Sequence, residues 1–186
     1  MNIGLDLDST LIKLPCIELA SKELGFDFDE THVEDWQFKK VFPEILRHRV
    51  FEMFADPKVM CDKVTPIDGT QNKIKEWCNK GHRLTIITSR IDSLQYKTVE
   101  MINKFYPEIE KVTFVGFNQS KKEALIENKI QLFVDDGPHN IEVAMEIPNL
   151  VCILLSNKYT RYNWYLRDKV NLVKAIKDIQ LKDYIL

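Results

Sequence analysis

Long apolar runs are missing from this chain of 186 residues. The longest, such as "LVCILL", fall far short of the ~20 residues that a membrane-spanning helix needs, so no membrane partner is expected. Cysteine is sparse and scattered: Cys16, Cys61, Cys78 and Cys152 form no CxxC pair, and no His/Cys grouping has the spacing of a zinc site. No charged-then-apolar leader precedes Met1-Asn2-Ile3, and a reducing cytoplasm is the expected location. An excess of charge is missing too. A net charge of −2 makes no field that would draw the molecule to nucleic acid, so any anionic ligand must be held by a local site. Internal repeats, low-complexity tracts and Gly/Ser linkers are likewise absent. What is present is 45% apolar content, enough to bury a sizeable core in one domain with a smaller excursion.

Five short, nearly continuous apolar segments read as strands buried on both faces: 2–7 "NIGLDL", 83–88 "RLTIIT", 111–116 "KVTFVG", 130–135 "IQLFVD" and 150–155 "LVCILL". Helical patterns lie between them. Asp68 to Lys80 puts Ile74, Trp77 and Cys78 on one face and stops at Gly81; "SKKEALIEN" places Ser120 and Glu123 at capping-box spacing; Pro138 suits a first helical turn. Alternation of this kind predicts an α/β fold, a doubly wound parallel sheet with ligands at the carboxyl ends of its strands. The segment 14–65 breaks the alternation, being helical and aromatic-rich with more acidic than basic residues. It is expected to be a small helical cap inserted after the first strand, leaving 1–13 and 66–186 as the core. The basic, Tyr-rich stretch 157–186 is read as an amphipathic closing helix with a solvated face.

The chemistry collects at the strand ends. In "GLDLDSTL", Asp6 and Asp8 share one face of an extended chain, a costly arrangement unless a cation or a proton relieves their repulsion. "TSR" ends the second strand, "VDDGPHN" the fourth, and "SKK" lies before the latter. Together they offer Asp6, Asp8, Asp135 and Asp136, the hydroxyls of Thr10, Thr88 and Ser89, and an ammonium from Lys121 or Lys122. That inventory suits a phosphate and a hard cation. A calcium loop is excluded, because Leu11 and Ile17 stand where such a loop needs glycine and glutamate. Taken singly, "DDGP" reads as a turn and "TSR" as a helix cap. Arg90 reads as a partner for a carboxylate, and His48 and His139 as structural or surface residues.

With these motifs in order on these strands, the chain resembles the haloacid dehalogenase (HAD) superfamily of aspartate-nucleophile phosphatases, through "DLDST", "TS", "K" and "DD". Within it, "EDWQFKKVFPEILRHRVFEMFADP", "VDDGPHNI" and "YTRYNWYLRDKVN" resemble the 5′(3′)-deoxyribonucleotidase branch. The resemblance implies a HAD-like Rossmannoid core and a Mg²⁺-dependent phosphomonoesterase, a 5′-nucleotidase. Asp6 would be the nucleophile and Asp8 the acid and then base. Mg²⁺ would be held by Asp6, the backbone carbonyl of Asp8 and Asp135, with Asp136 nearby. Thr88, Ser89 and Lys121 would bind phosphate, Lys122 and Lys97 remaining as alternatives to the last, and Trp36 and Phe38 of "DWQF" would stack on the base. The expected partner is a small phosphorylated substrate, a nucleoside monophosphate by preference, with homodimer formation left open. Competing readings are a phosphatase of sugar phosphates or other small metabolites, and a nucleic-acid 3′-end phosphatase. A dehalogenase is disfavoured, since that branch lacks the second aspartate that Asp8 supplies.

Overall fold

The structure is a computed structural model that describes residues 1–27, 42–156, 164–166 and 168–184. Six parallel strands form one sheet: β1 (Asn2–Leu5), β4 (Arg83–Thr88), β5 (Lys111–Phe114), β6 (Leu132–Asp135), β7 (Val151–Leu155) and β8 (Asn171–Val173), in the spatial order β5-β4-β1-β6-β7-β8. The order steps outward in both directions from β1. Each crossover carries helix to one face or the other: α3 (Thr70–Asn79) and α4 (Gln95–Phe105) on one side, α5 (Lys122–Glu127) and α6 (Pro138–Ala144) on the other.

The apolar runs explain this directly. Alternate residues of each strand face opposite ways, so Ile3, Leu5, Ile86, Val134 and Ile153 enter one core with Ile74, Trp77 and Ile102. Ile87, Phe133 and Leu154 enter the other with Leu125 and Ile141. Gly4 is glycine because a Cβ there would stand 3.0 Å from the Ile130 side chain and 3.2 Å from Phe133. β1 can therefore lie close under the α5–β6 connection.

The insertion leaves and re-enters the core through a two-stranded antiparallel ribbon, β2 (Ile12–Lys13) against β3 (Thr65–Pro66). Its described helices are α1 (Cys16–Leu24) and α2 (Glu44–Met53), followed by a wide helical turn, Lys58–Asp62. α2 buries Leu46, Val50 and Met53, which its spacing sets on one stripe, and α1 buries Cys16, Ile17 and Ala20. These residues share a single apolar cluster with Leu5, Leu7 and Leu11 of the core, so the insertion is seated on the sheet. Outside, Arg49 ties the two helices by reaching Glu23 and Glu52, each at 3.0 Å.

Two expectations are corrected. The tail forms no long helix among its described residues: it adds β8 to the sheet edge and then runs through short 3₁₀ turns at Ile176–Asp178 and Leu181–Asp183. The reason is that Ile176, Ile179 and Leu181 are buried by these tight turns and need no helical stripe. The capping box at α5 is not formed either; the Ser120 hydroxyl accepts the Lys122 amide at 3.2 Å. No helix among the described residues is long and apolar enough to cross a membrane.

Candidate active site

Strand ends place the acidic groups. The Asp6 amide donates to the Val134 carbonyl at 2.9 Å, continuing the β1–β6 ladder one residue beyond β1, and so sets Asp6 beside Asp135, the last residue of β6. The chain then turns sharply. Leu11 and Ile12 both donate to the Leu7 carbonyl, and Ser9 adopts the left-handed conformation, φ 63°. Asp8 is carried by this turn, no longer by a strand, yet both carboxylates line one cavity of about 790 Å³.

The repulsion anticipated between Asp6 and Asp8 is answered by two separate buried cations. Lys121 donates to Asp6 Oδ1 at 2.5 Å and to Asp135 Oδ2 at 2.8 Å. Arg90 grips Asp8 with a fork, Nη2 to Oδ1 at 2.7 Å and Nε to Oδ2 at 3.0 Å. Burial pushes the Asp6 carboxyl up to about 7; Lys121 opposes the rise, while Asp135 and Asp8 add to it. Burial also works against the charge of Lys121, but Asp135 and Asp6 outweigh it and hold the ammonium above the ordinary lysine range. Of the three candidate lysines, Lys121 alone stands with the aspartates. Lys122 pairs with Glu146 at 2.6 Å and Lys97 with Glu100 at 3.0 Å, both on the exposed surface.

Asp135 is held from a further side. The Gly137 amide donates to its Oδ1 at 2.7 Å, and Asn140 Nδ2 lies 3.1 and 3.0 Å from its two oxygens. A Cβ on Gly137 would come within 3.0 Å of Asp135 Oδ1, Asn140 Nδ2 and His139 Cε1, so the turn has room only for glycine. The "DDGP" stretch is thus both a turn and part of the site. Asp6, Asp135 and Asp136 can bring one oxygen each to within 4.8 Å of one another. Three carboxylates against one ammonium leave surplus negative charge, and the donors are all hard oxygens, a set that fits Mg²⁺. The Thr10 hydroxyl lies 3.4 Å from Asp136. His139 lines the cavity as well, and burial keeps its imidazole below the usual range.

Other expected residues divide. Ser89 lines the cavity, but Thr88 is fully buried and its hydroxyl accepts the Arg90 amide at 3.3 Å, so Thr88 braces the turn from beneath and Ser89 is the hydroxyl that reaches the cavity. Trp36 and Phe38 lie outside the described residues. The described aromatic lining comes from Phe54 of the insertion and Phe117 of the core, with Leu14, Ile17, Ile67 and Val143. Phe117, in "GFNQS", carries no motif that would single it out in the sequence. Asn140 could have been found as the polar residue that the first turn of α6 brings back over the end of β6.

No family model and no curated protein matches the sequence. Solved structures do match its shape along nearly the whole chain. A predicted phosphatase from Clostridium acetobutylicum aligns with a TM-score of 0.66 at 14% identity, covering 100% of this chain and 98% of that one. A HAD hydrolase, family IA, variant 3, from Entamoeba histolytica aligns at 0.64 and 13%, covering 98% and 96%. A predicted phosphoglycolate phosphatase from Haemophilus somnus aligns at 0.61 and 16%, covering 98% and 97%. The TM-scores and the end-to-end coverage agree on the architecture: this chain has the fold of the haloacid dehalogenase-like hydrolases.

Proposed function

We propose that the protein is a phosphomonoester hydrolase acting through an aspartyl-phosphate on Asp6, with a nucleoside monophosphate as its favoured substrate. The observation that carries this reading is the shared cavity in which Asp6 meets Lys121 and Asp8 meets Arg90. An Asp6 oxygen attacks phosphorus, and the bond from phosphorus to the leaving alcohol breaks as Asp8 gives that oxygen a proton. A water molecule then adds to the phosphorus of the acyl phosphate and loses its proton to Asp8; inorganic phosphate departs and the Asp6 carboxylate is restored. Lys121 and Ser89 offer donors to the transferring oxygens. Asp6 and Asp135, with Asp136 and the main-chain carbonyl of Asp8, would hold Mg²⁺, which when bound offsets the repulsion between a carboxylate nucleophile and a phosphate dianion.

The support for a nucleotide is that the cavity of about 790 Å³, which takes in the aspartates and Lys121, also has a wall of Phe54, Phe117, Leu14 and Ile67 that suits a flat apolar group. The second reading, a phosphatase of small acids or sugar phosphates, is favoured by the description of the Haemophilus somnus neighbour. A phosphate-release screen with Mg²⁺ separates them, run across nucleoside monophosphates, ribose 5-phosphate, phosphoglycolate and 3′-phosphorylated oligonucleotides. The expected result is a kcat/KM for one nucleoside monophosphate at least roughly tenfold above ribose 5-phosphate, the scale of ~1–3 kcal/mol from base stacking. EDTA should abolish the release and Mg²⁺ restore it. Equal turnover of sugar phosphates would favour the small-metabolite reading, and full activity after chelation would remove the metal from the mechanism.

A further inference from the structure

Among the described residues, Arg90 is the most completely enclosed cation outside the Asp6–Lys121–Asp135 group: its side chain is 1% exposed, whereas Asp8, which it grips, is 23% exposed to the cavity. All three of its nitrogens are used. Nε and Nη2 hold Asp8, while Nη1 donates to Thr98 Oγ1 at 3.0 Å and to Cys61 Sγ at 3.4 Å. Thr98 belongs to α4 of the core and Cys61 to the Lys58–Asp62 turn that ends the insertion. The guanidinium therefore has one fork in the active site and its far end in the wedge between insertion and core. A planar, rigid fork can fix the plane of a carboxylate in a way that a point charge cannot.

Resting on the phosphatase reading above, we infer that Arg90 is the positioning residue of the acid–base carboxylate: it sets the plane and direction of Asp8 toward the leaving oxygen, and it takes that setting from Thr98 and Cys61. Arg90 does not line the cavity. Its effect belongs to proton delivery, and proton delivery matters in proportion to how poor the leaving group is. An ester whose alcohol leaves easily hardly needs Asp8 to be aimed. An ester of an ordinary primary alcohol needs it fully.

The test compares two esters in the full-length protein with Mg²⁺: 4-nitrophenyl phosphate, and the fastest primary-alcohol phosphate among ribose 5-phosphate, glycerol phosphate and the nucleoside monophosphates. Arg90→Lys keeps the charge and loses the fork. It should lower kcat on the primary-alcohol ester by about ten- to a hundredfold, part of the ~10²–10⁴ that general acid–base catalysis supplies, and on 4-nitrophenyl phosphate by less than about threefold, with KM for the latter unchanged. In an Asp8→Asn background the same substitution should cost almost nothing more, because the group it aims is gone. Thr98→Val, nearly isosteric, should reproduce the leaving-group pattern at about three- to tenfold, and it carries the test alone if Arg90→Lys does not fold. Equal losses on both esters, or losses that multiply with Asp8→Asn, would overturn the inference and leave Arg90 a structural ion pair. Absence of phosphate release from either ester by the wild-type protein would instead overturn the phosphatase reading on which it rests.

Discussion

Asp6, the nucleophile of the proposed reaction, also carries a stability cost. Its folded carboxyl titrates at about 7 through burial, against ~3.9 in an unfolded chain. A carboxyl raised in this way contributes stability that is fully present below the unfolded value and is lost as pH rises through about 7. Asp6→Asn should therefore melt close to wild type at pH 5 and higher than wild type at pH 8 in EDTA, by about 5 °C on the scale of a few kcal/mol for a chain of this size. Mg²⁺ should raise the wild-type midpoint at pH 8 and leave that of Asp6→Asn unmoved, and the variant should release no phosphate. Thermal melts at the two pH values check the sign; a variant less stable than wild type at pH 8 would show that the Lys121 contact outweighs the burial. The aspartates were legible in the sequence because they stand at the ends of apolar runs, where a parallel sheet gathers its ligand-binding groups, whereas Lys121 lies five residues past its run and could not be told from Lys122 or Lys97. The fork between Arg90 and Asp8 was open to the sequence only as a general pairing, since the partners stand 82 residues apart and depend on how the turn after β1 closes. Thr88 and Ser89 were read together for a related reason: strand alternation says that they differ in face, but not that Ser89 lines the cavity while Thr88 is buried.

At the scale of elements, the neck of the insertion is held by more than its short ribbon. The Leu11 carbonyl accepts the Ile67 amide at 2.9 Å and the Tyr106 hydroxyl at 2.5 Å, and Thr70 Oγ1 stands 2.7 Å from that hydroxyl while donating to the Ile67 carbonyl at 2.6 Å. Tyr106, at the end of α4 and fully buried, thus ties both crossings to a helix of the core. Tyr106→Phe keeps the ring and removes the tie. It should cost about 1 kcal/mol, lowering the melting midpoint by ~2–4 °C, with turnover of 4-nitrophenyl phosphate retained. An unchanged midpoint would mean that the ring's packing alone matters. This hydroxyl, like β8, left little trace in the sequence. A three-residue edge strand with Asn171 and Leu172 exposed has neither a buried run nor an alternation to announce it, and what places it is the row of hydrogen bonds along β7. Four of the five longer strands were legible because they are buried on both faces; β5, at the opposite edge, is only half-buried and was legible from its apolar run alone. The tail's spacing of Ile176, Ile179 and Leu181 serves a 3₁₀ turn as well as a helix, and the structure takes the tighter form.

For the whole molecule, the proposed function assigns the grip on the phosphoryl group to the core, and the insertion is seated over the strand ends, so on that proposal discrimination among esters comes from the walls that the two build together. Phe54 comes from the insertion and packs edge-on against Phe51 at 5.7 Å, so its removal would disturb the cap's own core. Phe117 comes from the loop after β5 and is 45% exposed, which makes it the cleaner probe of recognition. If the proposed nucleotide lays its base against this ring, Phe117→Ala should lower kcat/KM for the nucleoside monophosphate by about five- to tenfold, the lower part of the range for stacking on an aromatic. Ribose 5-phosphate, which has the same phosphate and sugar but no base, should be unaffected. It is a better reference than 4-nitrophenyl phosphate, whose own ring could lie on Phe117. Steady-state kinetics on the two esters decide the matter. Equal losses on both would make Phe117 a wall of the phosphate end, and a nucleotide rate that does not fall would move base recognition to other residues, with Trp36 and Phe38 of the insertion next to be replaced.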